Sequence, residues 1–257
     1  PQVVKSARVI KQAVGWLTCF FLDPDSPDQL RLALWLTQIL GLGIPCLGAL
    51  LLLRPSLPEL GIRRPAPALL LLAGVGTLGL WIPLLAMDTL RARVLPDPLR
   101  EALFFDLVRP GWGGNALVFA GLAVLPALME ELAFRGVLQP AFTRAWGPRV
   151  AIPLTALAFA GFHRSAAQFL VPLLLGLALG WLRWRTDCLW PSCAAHALHN
   201  ALTIRAMQTH EAWFKPDAPL PHPARAGAGL LLAAGAAWGL ACLTRRVCSY
   251  PLPRQTL

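Results

Sequence analysis

The stretch GGNALVFAGLAVLPALMEELAFR, residues 113–135, decides how this chain is read. Gly113–Met129 is an apolar run of near bilayer-spanning length. It ends on two adjacent carboxylates, Glu130 and Glu131, with Arg135 one helical turn further on. A charged side chain at membrane depth costs a few kcal/mol or more, so it is seldom kept there without a task. Glu131 and Arg135, spaced i,i+4, share a helical face and can pair. Glu130 points about 100° away from Glu131. One glutamate can therefore be neutralised by the arginine while the other faces a cavity. The competing reading is a pair of glutamates capping a helix at the interface.

The composition around this stretch fixes the class. Of 257 residues, 56% are hydrophobic and 14% charged. Soluble domains carry about 25% charged residues, so this chain has too few to cover a soluble core. The expectation is an all-α, polytopic transmembrane bundle of about seven or eight membrane helices around a polar intramembrane cavity. The net charge is +10, but the basic residues are scattered singly through short connections. That suits loops at lipid headgroups and argues against nucleic acid as a partner. The six cysteines, Cys19, Cys46, Cys188, Cys193, Cys242 and Cys248, form no CxxC pair and read as small hydrophobes.

Seven apolar segments are read as membrane elements: Leu32–Leu53, Ala66–Met87, Gly113–Met129, Val150–Phe162, Ala166–Leu182, Cys188–Ile204 and Ala226–Leu243. The fourth is short of the ~20 residues a span needs. Val14–Leu22 reads as a partial or interfacial helix, and Leu99–Val108 as amphipathic and lying on the membrane surface. No connection is long enough to bury a second core, so residues 1–257 are read as one membrane domain with a motif-bearing core at about 113–205. The loops near 88–112 and 205–225 fall on one side, here side A. Those near 54–65, 130–149 and 183–187 fall on side B, together with the motif glutamates. Side B is read as cytoplasmic, from its arginines in shorter loops.

Glycine patterns are read as packing. Gly74-Val75-Gly76-Thr77-Leu78-Gly79 fits GxGxxG but has no strand before it, so the context of a dinucleotide site is missing. Close helix contact is the better reading, as for Gly176-x3-Gly180 and Gly235-x3-Gly239.

Two further polar clusters fall in apolar segments. Phe159 and His163 are spaced i,i+4, and so are His196 and Asn200, with His199 between them and about 60° off their line. Singly, each reads as a hydrogen-bonded helix residue. Together they make a kit for hydrolysis. A glutamate helped by His163 can take a proton from water. His196 and Asn200 can donate hydrogen bonds to a developing oxyanion. Alternatively Glu130, His163 and His196 supply the three ligands of a catalytic zinc, and residue type alone does not separate the two. HExxH, GxSxG, the P-loop pattern and an intramembrane GxGD aspartate pair are all absent from the sequence.

The ordered set Glu-Glu-x3-Arg, Phe-x3-His and His-x3-Asn, with the local text EELAFRGVLQP and LWPSCAAHALHN, resembles the CPBP family. These are intramembrane CAAX-type proteases and bacteriocin-processing relatives, also called the ABI family. The resemblance covers about Ala127–Arg205. It implies an intramembrane endopeptidase that cuts near the C-terminal or membrane-associated segment of a protein or peptide substrate. It implies Glu130 as the water-activating glutamate, His163 as its partner, and His196 with Asn200 as oxyanion stabilisers. Glu131, Arg135 and Phe159 are supporting residues, and His199 is structural. The family is commonly labelled metalloprotease, and members are also described as glutamate-dependent without metal, so a divalent cofactor such as zinc stays open. A bacterial inner membrane is the implied location. Other readings remain: a non-catalytic scaffold or immunity-type relative, a proton-coupled transporter using Glu130 and His163, or a protease processing C-terminal sorting tails of surface proteins.

Overall fold

A computed structural model describes residues 27–97, 104–109, 114–163, 165–214 and 217–245. Val14–Leu22 and the first half of Leu99–Val108 lie outside these residues, while 104–108 is a short helix. Among the described residues every regular element is helical. Helix α1 runs through Pro27–Gln38, a π turn Ile39–Gly43, and Ile44–Leu53. Helix α2 is Pro67–Val94, α3 is Gly114–Trp146, α4 is Pro148–Phe162, α5 is Leu170–Thr186, α6 is Trp190–Thr209 and α7 is Pro223–Arg245.

Among the described residues five helices are long and apolar enough to cross a membrane: Leu34–Leu53, Pro67–Val94, Gly114–Trp146, Ala166–Thr186 and Pro223–Thr244. Two of the seven expected membrane elements are not among them: the fourth, short as expected, and the sixth. Helix α4 has only 15 residues. Helix α6 has 20, but Ser192, His196, His199, Asn200 and Gln208 make it too polar, and it turns that polar side inward. Helix α3 is the central one. Its apolar window is 44% buried, against 12% in α1 and 17% in α7, which present leucines such as Leu52 and Leu231 outward. Such outward leucines suit lipid, where only backbone-satisfied helices are stable.

The main departure from the sequence reading is in α3. Residues 130–146 are not a side-B loop but the second half of one helix. The glutamates therefore sit midway along α3. The physical reason is internal pairing: Glu131 and Arg135 neutralise each other, so the helix continues through them at low cost.

Three π turns mark α1 and α3, and each ends two residues before a proline. They are Ile39–Gly43 before Pro45, Ala120–Val124 before Pro126, and Leu132–Leu138 before Pro140. A proline lacks an N–H and crowds the carbonyl four residues back. Those carbonyls belong to Gly41, Leu122 and Gly136, all inside the π turns. Widening the helix by one residue relieves the crowding. Gly147, at φ 75°, is the single residue between α3 and α4 and takes a conformation that favours glycine. Pro148 then opens α4 at a position where its missing N–H is harmless.

Ties between connections agree with the expected sides. On side B, Leu189 N–H donates to Gly61 O at 2.8 Å and Arg63 pairs with Asp187 at 2.8 Å. On side A, Arg93 donates to Ala218 O at 2.7 Å and Gln208 to Val108 O at 2.7 Å.

Candidate active site

The polar residues of α3 and α6 meet in the middle of the bundle. Glu131 and Arg135 have no exposed surface, and Glu130 and His196 almost none. Arg135 Nη1 donates to Glu131 Oε1 at 2.8 Å, and Nη2 donates to the Gly176 carbonyl of α5 at 3.1 Å. The same Glu131 oxygen lies 3.0 Å from His196 Nδ1. An oxygen already accepting from a guanidinium is an acceptor here, so Nδ1 carries the hydrogen and donates it. That choice leaves Nε2 turned toward Glu130, 3.8 Å from its Oε2. At that distance the two do not bond directly, but one water can touch both.

Phe159 of α4, 1% exposed, is the hub of the cluster. Arg135 lies over its ring at 4.5 Å from the centroid, a cation–π contact. The rings of His163 and His196 meet it edge to face at 5.1 and 5.6 Å. Phe134 and Leu42 complete the packing. The α4–α5 contact that seats this ring depends on Gly176, where a Cβ would lie 3.2 Å from both Ala156 and Phe159. Gly180, one turn on, leaves room for Gln139, whose Nε2 donates to its carbonyl at 2.8 Å. The Gly176-x3-Gly180 pair thus exposes two carbonyls to two α3 side chains.

The structure brings Glu130, Glu131, Arg135, Phe159 and His196 into one contact group. His163 joins through Phe159 alone. Its Nδ1 lies 3.0 Å from the Phe159 carbonyl, and among the described residues it makes no hydrogen bond to Glu130. Asn200 is half-buried one turn beyond His196 on α6. His199 faces elsewhere, onto an apolar cavity of about 330 Å³ between α2, α5, α6 and α7, walled by residues such as Leu72, Leu179 and Ala237.

The zinc set does not fit this geometry. Among the described residues no three His, Cys, Asp or Glu side chains converge as ligands. Among the described residues the metalloprotease reading therefore finds no support.

One site residue was missed from the sequence. Gln38 of α1 donates from Nε2 to Glu130 Oε1 at 3.2 Å. Its signal was present: Gln38 is a carboxamide inside the apolar run Leu32–Leu53, and polar groups at depth need partners. The Ser192 hydroxyl donates to Leu189 O at 2.8 Å, where α6 begins.

Comparison with known proteins bears on this arrangement. Residues 112–202 match the family model described as Rce1-like, Type II CAAX prenyl endopeptidase Rce1-like. The match spans α3 to α6 and every motif residue named above, in agreement with the resemblance to CAAX-type proteases. At family level it points to a CAAX-type membrane endopeptidase. No match is found among curated proteins, and none among solved structures.

Proposed function

We propose that this chain is an intramembrane endopeptidase that hydrolyses a peptide bond near the C-terminal, membrane-associated end of a protein substrate, with Glu130 activating the water. The observation that carries the reading is the pair of free faces left by the buried network. Arg135 and His196 occupy Glu131, while Glu130 Oε2 and His196 Nε2 face each other 3.8 Å apart. A water touching both would lose a proton to this pair as its oxygen attacks the scissile carbonyl carbon. The proton then passes to the leaving amine nitrogen as the C–N bond breaks. Glu131 fixes the tautomer and ring plane of His196, in the manner of an acid orienting a catalytic imidazole.

Asn200 is the proposed oxyanion donor. His196 joins it only once Nε2 also holds a proton, because Nδ1–H is already engaged. This refines the role read for His196 from sequence. His163 acts through Phe159, setting the wall opposite Arg135. The single membrane domain, its core at about 113–205 and a location in a bacterial inner membrane belong to the same proposal.

The test uses purified chain in detergent with internally quenched peptides ending in a CAAX box, with and without a prenyl group on the cysteine. Products are identified by intact mass. Cleavage is expected in wild type and absent in Glu130→Ala, His163→Ala and His196→Ala, each still folded. A fully active Glu130→Ala would defeat the reading. A scaffold or a proton-coupled transporter would give no products from any variant.

A further inference from the structure

We infer that Gln38 positions Glu130 and binds the substrate backbone, so that α1 belongs to the site although the motifs lie on α3, α4 and α6. The inference rests on the proposed role of Glu130. Gln38 Nε2 donates to Glu130 Oε1 at 3.2 Å, which leaves Oε2 as the oxygen turned to His196 Nε2. The other end of the same amide, Gln38 Oε1, is buried and has no hydrogen-bond partner among the described residues. Such an orphaned carbonyl costs free energy, and near a reacting centre it marks a place where a donor arrives. A peptide N–H is the donor a protease substrate brings. One carboxamide would then hold the base through its N–H and the bound peptide through its oxygen.

The placement of Gln38 is over-determined. Trp35, one turn earlier, packs onto Gly121 of α3, where any side chain would overlap the indole. Leu42, one turn later, packs with Phe134 and Phe159. Gly43 seats Met129, the neighbour of Glu130; a Cβ there would lie 3.0 Å from the methionine methyl carbon. The π turn Ile39–Gly43, set by Pro45, begins directly after Gln38. Contacts on both sides of Gln38 thus bind α1 to α3 at the level of the glutamates. The rest of α1 is mostly turned outward.

The experiment measures kcat, KM and the pH profile of kcat/KM for Gln38→Leu, Gln38→Asn and Gln38→Glu, using the quenched CAAX peptide. Thermal unfolding is followed in the same samples. Gln38→Leu keeps the size but neither hydrogen bond; kcat should fall by roughly 10²-fold and KM should rise, at unchanged melting temperature. Gln38→Glu keeps an acceptor but sets a second negative charge against Glu130. Its acidic limb should therefore move to higher pH. Gln38→Asn, shorter by one carbon, should recover part of the loss. Gln38→Leu within about twofold of wild type on both constants would overturn the inference, as would an unmoved acidic limb in Gln38→Glu. If Gln38→Leu does not fold, the limb of Gln38→Glu decides alone. An inactive Glu130→Gln beside a normal Gln38→Leu rejects only this inference. An active Glu130→Gln rejects the reading beneath it.

Discussion

Where α3 meets α6 the helices are joined by charge; where α2 meets α7 they are joined by missing side chains. In the first seam Glu131 is shared by Arg135 and His196, all three buried. In the second, a Cβ on Gly79 would lie 2.5 Å from the Gly229 carbonyl oxygen, and one on Gly229 just as close to the Gly79 carbonyl. The α2–α7 seam needs no polar contact, because lipid offers helices no hydrophobic drive to separate or join and close backbone approach supplies the attraction. The α3–α6 seam pays desolvation for three ionisable groups, a cost that stability alone does not explain. The difference separates a seam that holds helices together from the seam proposed to carry the chemistry. It also says that damage to each seam should read out differently.

Arg135→Ala should do the most harm. It leaves the buried Glu131 charge with the His196 N–H but no cation, and strips the guanidinium from the Phe159 ring. The expected loss is about 3–5 kcal/mol of stability, with cleavage gone as well. Chemical unfolding in mixed micelles checks the first and product mass the second; a stable, active variant would erase the contrast between the seams. Gly79→Val should cost about 1–3 kcal/mol by forcing α2 and α7 apart. Cleavage per folded molecule should stay at the wild-type level, since Gly79 meets Gly229 and Ala233 of α7 and none of the proposed site residues. A selective loss of kcat in Gly79→Val would show that the two seams are coupled.

The smallest effect is expected outside both. Glu59, in the side-B loop, accepts from the Ser56 backbone N–H at 2.6 Å and from its hydroxyl at 2.7 Å. These bonds hold its carboxyl below the usual glutamate range. A depressed folded value means the contribution is present above the unfolded value, about 4.3, and is lost as pH falls through the folded one. The melting-temperature gap between wild type and Glu59→Gln should be small and flat near neutrality, and should close on acidification. A gap that widens in acid would contradict the sign.

The two seams were also unequally legible in the sequence. Glu130, Glu131, Arg135 and His196 stand out because charged and imidazole groups are expensive in an apolar run, whatever their neighbours. Their convergence follows from that cost. The α2–α7 contact was legible only as a pattern. Of the glycines singled out in α2, Gly79 makes the tight contact, while a Cβ on Gly74 would come no nearer than 3.9 Å to a neighbour. In α7 the partner is Gly229, outside the pair Gly235-x3-Gly239, and Gly235 meets nothing within 4 Å. Small residues carry no mark of which neighbour they serve. The length of α3 was misread because hydropathy stops at a charge, whereas a helix stops only where its hydrogen bonds do. Gln38 was missed because a neutral amide weighs little on any charge count, although the rule for buried polar groups already covered it.

The proposed chemistry turns on one oxygen, Glu130 Oε2. Its most direct test is the single-turnover rate of peptide cleavage by wild type and Glu130→Gln, with melting temperature recorded on the same preparations. Glu130→Gln keeps the shape and an acceptor for Gln38 but cannot take a proton. The rate should fall by about 10²- to 10⁴-fold with the fold intact. A rate within a few-fold of wild type would mean that water is activated elsewhere.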